Sequence, residues 1–151
     1  MKKYRFSLEK LRSYKRQMME REKNKLLSLR NERNRAEEKL HELERDLVNA
    51  QKRFQLEMVK GVSAMHLNLF QMQKDANLLE QHDLRVTLRT MDATIERQRR
   101  LVVRASQEVS GLDKLEAEQR EEYQKLEAKE SETMIEEFLS FQMLGNPDSE
   151  Q

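Results

Sequence analysis

The sequence predicts an all-α fold: a long two-helix antiparallel coiled-coil hairpin with a projecting C-terminal helix. Three observations lead there. A four-three rhythm of apolar residues runs through Leu26, Leu29, Ala36, Leu40, Leu43, Leu47, Ala50 and Phe54, interrupted only by Arg33. It returns as Leu84, Leu88, Met91, Ile95, Val102, Ala105, Val109 and Leu112, broken by Gln98. Alternating steps of four and three average about 3.5 residues per turn, the spacing of helices that wind around each other. Between the two stretches, Lys60-Gly61-Val62-Ser63 is the only turn-like tetrapeptide of the interior. Finally, charge is polarised along the chain. Met1 to Arg35 carry 13 Lys/Arg against 4 Asp/Glu, a balance of +9, and Leu112 to Gln151 carry 4 against 12, a balance of −8. The middle is balanced at 12 of each sign. An antiparallel hairpin brings its opposite ends together, whereas a parallel homodimer would set like charges side by side.

Helix one is expected over about 7–59. Ser7 can accept from free N–H groups of the first turn, Phe6 and Leu11 flank it at staple spacing, and Glu9 suits the positive end of the helix dipole. Its early seam is loose: Leu8, Leu11 and Met18 fit one register, Met19 and Leu26 another. A turn over about 60–63 follows. Helix two is expected over about 64–144, capped by Ser63, with Val62 and Leu67 as a second staple pair. Met65, Leu69, Met72, Ala76 and Leu79 line up at its start, so the seam is expected to slip before Leu84. Gly111 lies within the helical pattern at a cost of about 1 kcal/mol relative to Ala, either as a hinge or close-approach point or as an exposed, tolerated residue. Gly145 and Pro147 form a C-terminal stop near Leu144, leaving 145–151 as a frayed tail. The whole chain, 1–151, reads as one domain.

Folding about Gly61 sets residues opposite each other when their numbers add to roughly 122. Leu29 then lies opposite about Ala93, Leu11 opposite about Gly111, and Met1 opposite about Glu121. Helix two outruns helix one beyond Tyr123 by about 20 residues, or ~30 Å. That overhang still carries Leu126, Met134, Ile135, Phe138, Leu139, Met143 and Leu144. A lone helix cannot bury them, so they imply a partner.

Composition narrows the function. The chain is 38% charged and 36% hydrophobic, with one Pro and three Gly, which favours long helices and a narrow seam over a filled core. No run approaches the roughly 18 apolar residues of a membrane span, and Met1-Lys2-Lys3-Tyr4-Arg5-Phe6 is basic without the apolar stretch of a secretory signal. With no cysteine there is neither a disulfide framework nor thiol chemistry. A soluble cytoplasmic protein is expected. The three glycines are isolated, so no phosphate-binding loop exists, and His41, His66 and His82 fall in no metal-ligand spacing. A rod of this kind has no pocket, so neither catalysis nor a cofactor is expected. Arg89, Arg97, Arg99, Arg100 and Arg104 face the basic stretch Arg12 to Arg35 and form a positive band. Only 5% of residues are aromatic and no nucleic-acid module is present, which disfavours nucleic acid. An acidic protein surface or an anionic lipid surface suits the band better.

Three segments together resemble the FliJ family of flagellar export proteins. Tyr4-Arg5-Phe6-Ser7-Leu8-Glu9-Lys10-Leu11 with Tyr14-Lys15-Arg16 is similar to the family's N-terminal signature. Gly61-Val62-Ser63-Ala64 followed by Leu67, Leu69 and Phe70 resembles its hairpin. Leu112-Asp113-Lys114-Leu115, Glu122-Tyr123, Lys129-Glu130 and Glu136-Glu137-Phe138 resemble its C-terminal pattern, with Glu136 standing where the family usually has Asp. The register between Phe70 and Leu84 also departs from it. The resemblance implies an antiparallel coiled coil like the central stalk of rotary ATPases. It implies a protein that sits in the ring of the flagellar export ATPase, contacts the membrane export gate protein and engages export chaperones. Such a protein is cytoplasmic, peripheral to the membrane at the flagellar base and a monomer on its own. On that reading Leu8, Leu11, Met134, Ile135 and Phe138 meet the ATPase ring. Leu67, Leu69 and Phe70 form the gate-facing tip; they cannot all face one seam, and the resemblance favours Phe70 as the contact. Two alternatives remain at this point: the equivalent stalk of a virulence type III secretion system, and a purely structural coiled-coil dimer or scaffold.

Overall fold

A computed structural model describes residues 2–145. Two helices, α1 (Glu9–Lys60) and α2 (Ala64–Leu144), pack against each other, and there is no strand among the described residues. The all-α helical hairpin follows as expected. Pro147, the tail Asp148 to Gln151 and the pairing of Met1 with Glu121 lie outside the described residues.

The first helix begins two residues later than Ser7 suggested. The Phe6 carbonyl accepts from the Glu9 N–H at 3.2 Å and the Leu8 carbonyl from the Arg12 N–H at 2.9 Å. Leu11 is exposed. Phe6 is buried, with the Arg12 guanidinium 5.1 Å over its ring. The turn is built as its residues require. Gly61 has φ +92°, the left-handed conformation that ends helices and that glycine adopts without a Cβ clash. Its N–H donates to the Met58 carbonyl at 3.0 Å. The Ser63 hydroxyl then accepts from the His66 N–H at 3.2 Å, satisfying a first-turn donor of α2.

By internal packing the chain divides into two compact units, Glu20–Arg104 and Met1–Met19 with Ala105–Gln151. In the first, α1 buries Leu26, Leu40 and Phe54, two heptads apart, with Leu29, Ala36, Leu43, Leu47 and Ala50 half-buried between them. The two breaks in the rhythm are satisfied where they stand. Arg33 Nε donates to Asp92 at 2.9 Å, and Gln98 donates to the Glu22 carbonyl at 3.0 Å.

The start of α2 corrects the sequence reading. No slip occurs before Leu84. The four-three rhythm of Leu84, Leu88, Met91 and Ile95 runs backwards unbroken through Gln81, Asn77, Lys74 and Phe70, all buried or half-buried. Met65, Leu69, Met72, Ala76 and Leu79 face solvent. A straight helix cannot turn both stripes to one partner. The stripe containing Leu84 and Leu88 is the longer, and Phe70 anchors it by stacking on Phe54, centroids 4.0 Å apart. The amides Asn77 and Gln81 of the seam are paired, which limits the cost of burying them. Asn77 donates to the Leu43 carbonyl at 3.1 Å and Gln81 to Asn77 at 2.6 Å; Arg85 bridges Gln81 at 3.0 Å and Glu44 at 3.2 Å.

In the second unit, the early seam of α1 follows Leu8, Arg12, Lys15 and Met19, all half-buried. On α2, Ala105, Val109, Leu112 and Glu116 are buried or half-buried in the same unit, and the polarised end charges meet. Lys15 pairs with Glu108 at 2.9 Å, Arg16 with Asp113 at 2.9 Å, and Arg12 reaches Asp113 at 3.4 Å. The segment before α1 is tied to α2. Tyr4 and Tyr123 rings lie 5.4 Å apart, the Tyr4 hydroxyl donates to the Glu116 carbonyl at 3.2 Å, and the Tyr123 hydroxyl donates to the Lys2 carbonyl. A Cβ placed on Gly111 would meet nothing within 4 Å, so this residue is not a point of close approach.

Candidate partner-binding surfaces

Tyr123 is the last half-buried residue of α2, and positions 124–144 are all exposed. The seam rhythm would continue through Leu126, Glu130, Thr133, Glu137 and Ser140, which are mostly polar. The apolar residues lie elsewhere. Met134 and Phe138 are four apart, with Ile135 and Leu139 beside them, on a face about a third of a turn from the seam. Phe141 extends that face by three residues and is 74% exposed, against 59% for Phe138. The sequence reading passed over Phe141, though its spacing from Phe138 was the signal for it. Because this face is out of phase with the seam, a longer α1 would not cover it. Glu130 and Glu137 flank it on one side and Glu132 and Glu136 on the other, so the overhang is an acidic amphipathic helix.

The two N-terminal candidates part company. Leu8 is half-buried in the seam, whereas Leu11 is exposed. Next to them Arg12 is held by Glu9, Asp113 and Glu116. Burial opposes its charge, but the Glu9 hydrogen bond and the three carboxylates outweigh that and raise its pKa. Its Nε has no hydrogen-bond partner.

At the hairpin tip Leu67 and Leu69 are exposed, at 39% and 52%. Phe70 is half-buried against Phe54, so only part of its ring is accessible. His66 extends the stack, 5.9 Å from Phe54, and its Nε2 lies 2.7 Å from Glu57. Contrary to the expectation of a surface without pockets, an open cleft of about 330 Å³ lies beside these rings, lined in part by Ala50, Arg53 and Gln73. Leu56, Met58 and Val59 are exposed on the α1 side. Sequence reasoning missed them, because they follow the last seam residue and belong to no rhythm. From Gly61 to Gln73 there is no Lys, Arg, Asp or Glu in a chain 38% charged.

The expected positive band is partly neutralised. Arg99 and Arg100 are held by Glu96, whose carboxyl is pulled below its ordinary range first by the Arg99 hydrogen bond and then by both guanidinium charges. Arg33 is engaged by Asp92 and Glu37. Arg89, Arg97 and Arg104 have no carboxylate partner among the described residues, and Arg97 touches only the Thr94 hydroxyl at 3.4 Å.

Among the described residues no helix is long and apolar enough to cross a membrane. No curated protein and no solved structure matches the chain. The family model described as flagellar FliJ protein matches residues 4–147. That span takes in the N-terminal segment tied to Tyr123, both helices, the turn and the overhang. The chain belongs to the FliJ family and is thus a protein associated with flagellar export.

Proposed function

We propose that this protein is a non-catalytic, stalk-like coupling component of the flagellar type III export apparatus, a monomer on its own. Its terminal end sits in the ring of the export ATPase, its tip meets the membrane export gate, and it engages export chaperones. It works in the cytoplasm at the base of the flagellum. The observation that carries this reading is the overhang, where Met134, Ile135, Phe138, Leu139 and Phe141 present an apolar face that no residue of the chain's own seam can cover. Burying one Phe or Ile in a partner contributes ~1.5–3 kcal/mol. The surrounding glutamates steer the helix toward a basic lining and add less to affinity. At the tip, Leu67, Leu69 and the accessible part of Phe70 are the gate contact, and Leu11 adds to the ring contact beside the overhang.

Ile135→Asp combined with Phe138→Asp tests the reading by binding to the flagellar export ATPase and by stimulation of its turnover. Loss of both groups is expected to weaken binding about a hundredfold or more and to abolish stimulation. Unchanged affinity and unchanged stimulation would remove the overhang from the mechanism.

A further inference from the structure

The face of α2 turned away from α1 carries a second four-three rhythm. It runs Met65, Leu69, Met72, Ala76, Leu79, Asp83, Val86, Thr90, Ala93, Arg97, Arg100 and Arg104, and every one of these residues is exposed. The stripe is apolar over its first three heptads, apart from Asp83, and basic over its last. It lies wholly within the unit Glu20–Arg104. What marks the face is that five consecutive positions of it, Met65, Leu69, Met72, Ala76 and Leu79, are apolar although solvated, at the spacing by which a helix laid alongside would be buried. Arg100 is paired with Glu96, but the other two stripe arginines are disposed to receive something. Arg97 and Arg104 have no carboxylate partner among the described residues, nor has Arg89 on the flank.

We infer that this outer stripe is the docking surface for a helix of another protein. That helix is apolar along most of its length and acidic at the end over Arg97, Arg100 and Arg104, and it packs on α2 as a third strand. Charge decides against a second copy of this chain as occupant. Two stripes laid parallel would set arginine against arginine. Two laid antiparallel over their full length would set the arginines of each over Met65, Leu69 and Met72 of the other. An acidic end on the partner matches the basic end here and pulls the apolar heptads into register. The stripe goes beyond the overhang and shares only Leu69 with the tip contact proposed above, so the two stand or fall separately.

The test uses two synthetic helical peptides of about 40 residues, each with leucine at the core positions of its first three heptads. One carries glutamate at the core positions of its last heptad, the other lysine. The chain has no cysteine, so binding is followed by fluorescence anisotropy of the labelled peptide against the intact protein. The glutamate peptide is expected to bind about tenfold or more tighter than the lysine peptide. Arg97→Glu with Arg104→Glu should reverse that preference. Met72→Glu with Leu79→Glu should weaken both peptides about a hundredfold. All four residues are exposed, so the thermal melt should be unchanged. Equal binding of the two peptides, or indifference to either pair of substitutions, would overturn the inference. So would a dimer in sedimentation that Met72→Glu with Leu79→Glu dissolves, which would make the stripe an interface between copies.

Discussion

Asn77 and Gln81 occupy seam positions where leucine would bury more apolar surface. Gln81 is only 4% exposed, yet its amide is bonded to Asn77 and Arg85. Such a pair contributes little net stability, because its desolvation offsets most of what its hydrogen bonds return. It does fix register, since any slide along α1 would separate Asn77 from the Leu43 carbonyl. Replacing both together, Asn77→Leu with Gln81→Leu, leaves no orphaned partner between them. The double variant is expected to be more stable by about 1–3 kcal/mol, read as a higher urea midpoint, with a less unique register seen as doubled amide resonances. The single variant Gln81→Leu should fall short of this gain, because it strands the Asn77 oxygen. The sequence reading set the early seam of α2 on Met65 to Leu79 and so passed over these residues. Of the hydrogen bonds that make them tolerable, the one from Asn77 to the Leu43 carbonyl comes from the other helix, while Gln81 is held by Asn77 and Arg85 of its own helix.

Cross-helix bonds set the pairing of the helices in steps of one heptad. Gln98 meets Glu22, and Asn77 meets Leu43, three heptads along. One heptad from the first pair, Leu29 must face Met91. Cysteines at Leu29 and Met91 are therefore expected to form an intramolecular disulfide on mild oxidation, checked by a mobility shift without a dimer band. A pair at Leu29 and Ala93 should not. Ala93 stands at the level that simple folding about Gly61 assigns to it, but it belongs to the exposed outer stripe. Levels along an antiparallel pair follow from the turn position alone. Facing requires the heptad phase, which was legible from Leu84 onward. Before it, Met65 to Leu79 offered a competing apolar stripe.

At the scale of the whole molecule, the overhang is separate from the residues that hold the helices together. The seam residues from Leu8 to Phe54 and from Phe70 to Tyr123 hold the helices together, while 124–144 is exposed throughout. A chain ended after Lys125 should melt within about 0.5 kcal/mol of the full-length protein, measured by circular dichroism, because it loses no seam residue. A clear drop in the melt would mean that the overhang packs on its own chain.

The two-helix pattern, the turn at Gly61, the pairing of basic with acidic ends and the unpartnered overhang were all determined by the sequence. Each depends only on local propensity, on apolar periodicity or on the count of residues either side of one turn. The tertiary structure alone decided which of two apolar stripes on the first part of α2 faces α1. Both stripes have coiled-coil spacing, so periodicity cannot rank them. The choice rests on interactions between residues far apart in the chain: Phe70 on Phe54, Asn77 on the Leu43 carbonyl, Arg85 on Glu44. Those contacts turn Met65, Leu69, Met72 and Leu79 outward, and a run that reads as core in the sequence becomes surface in the fold.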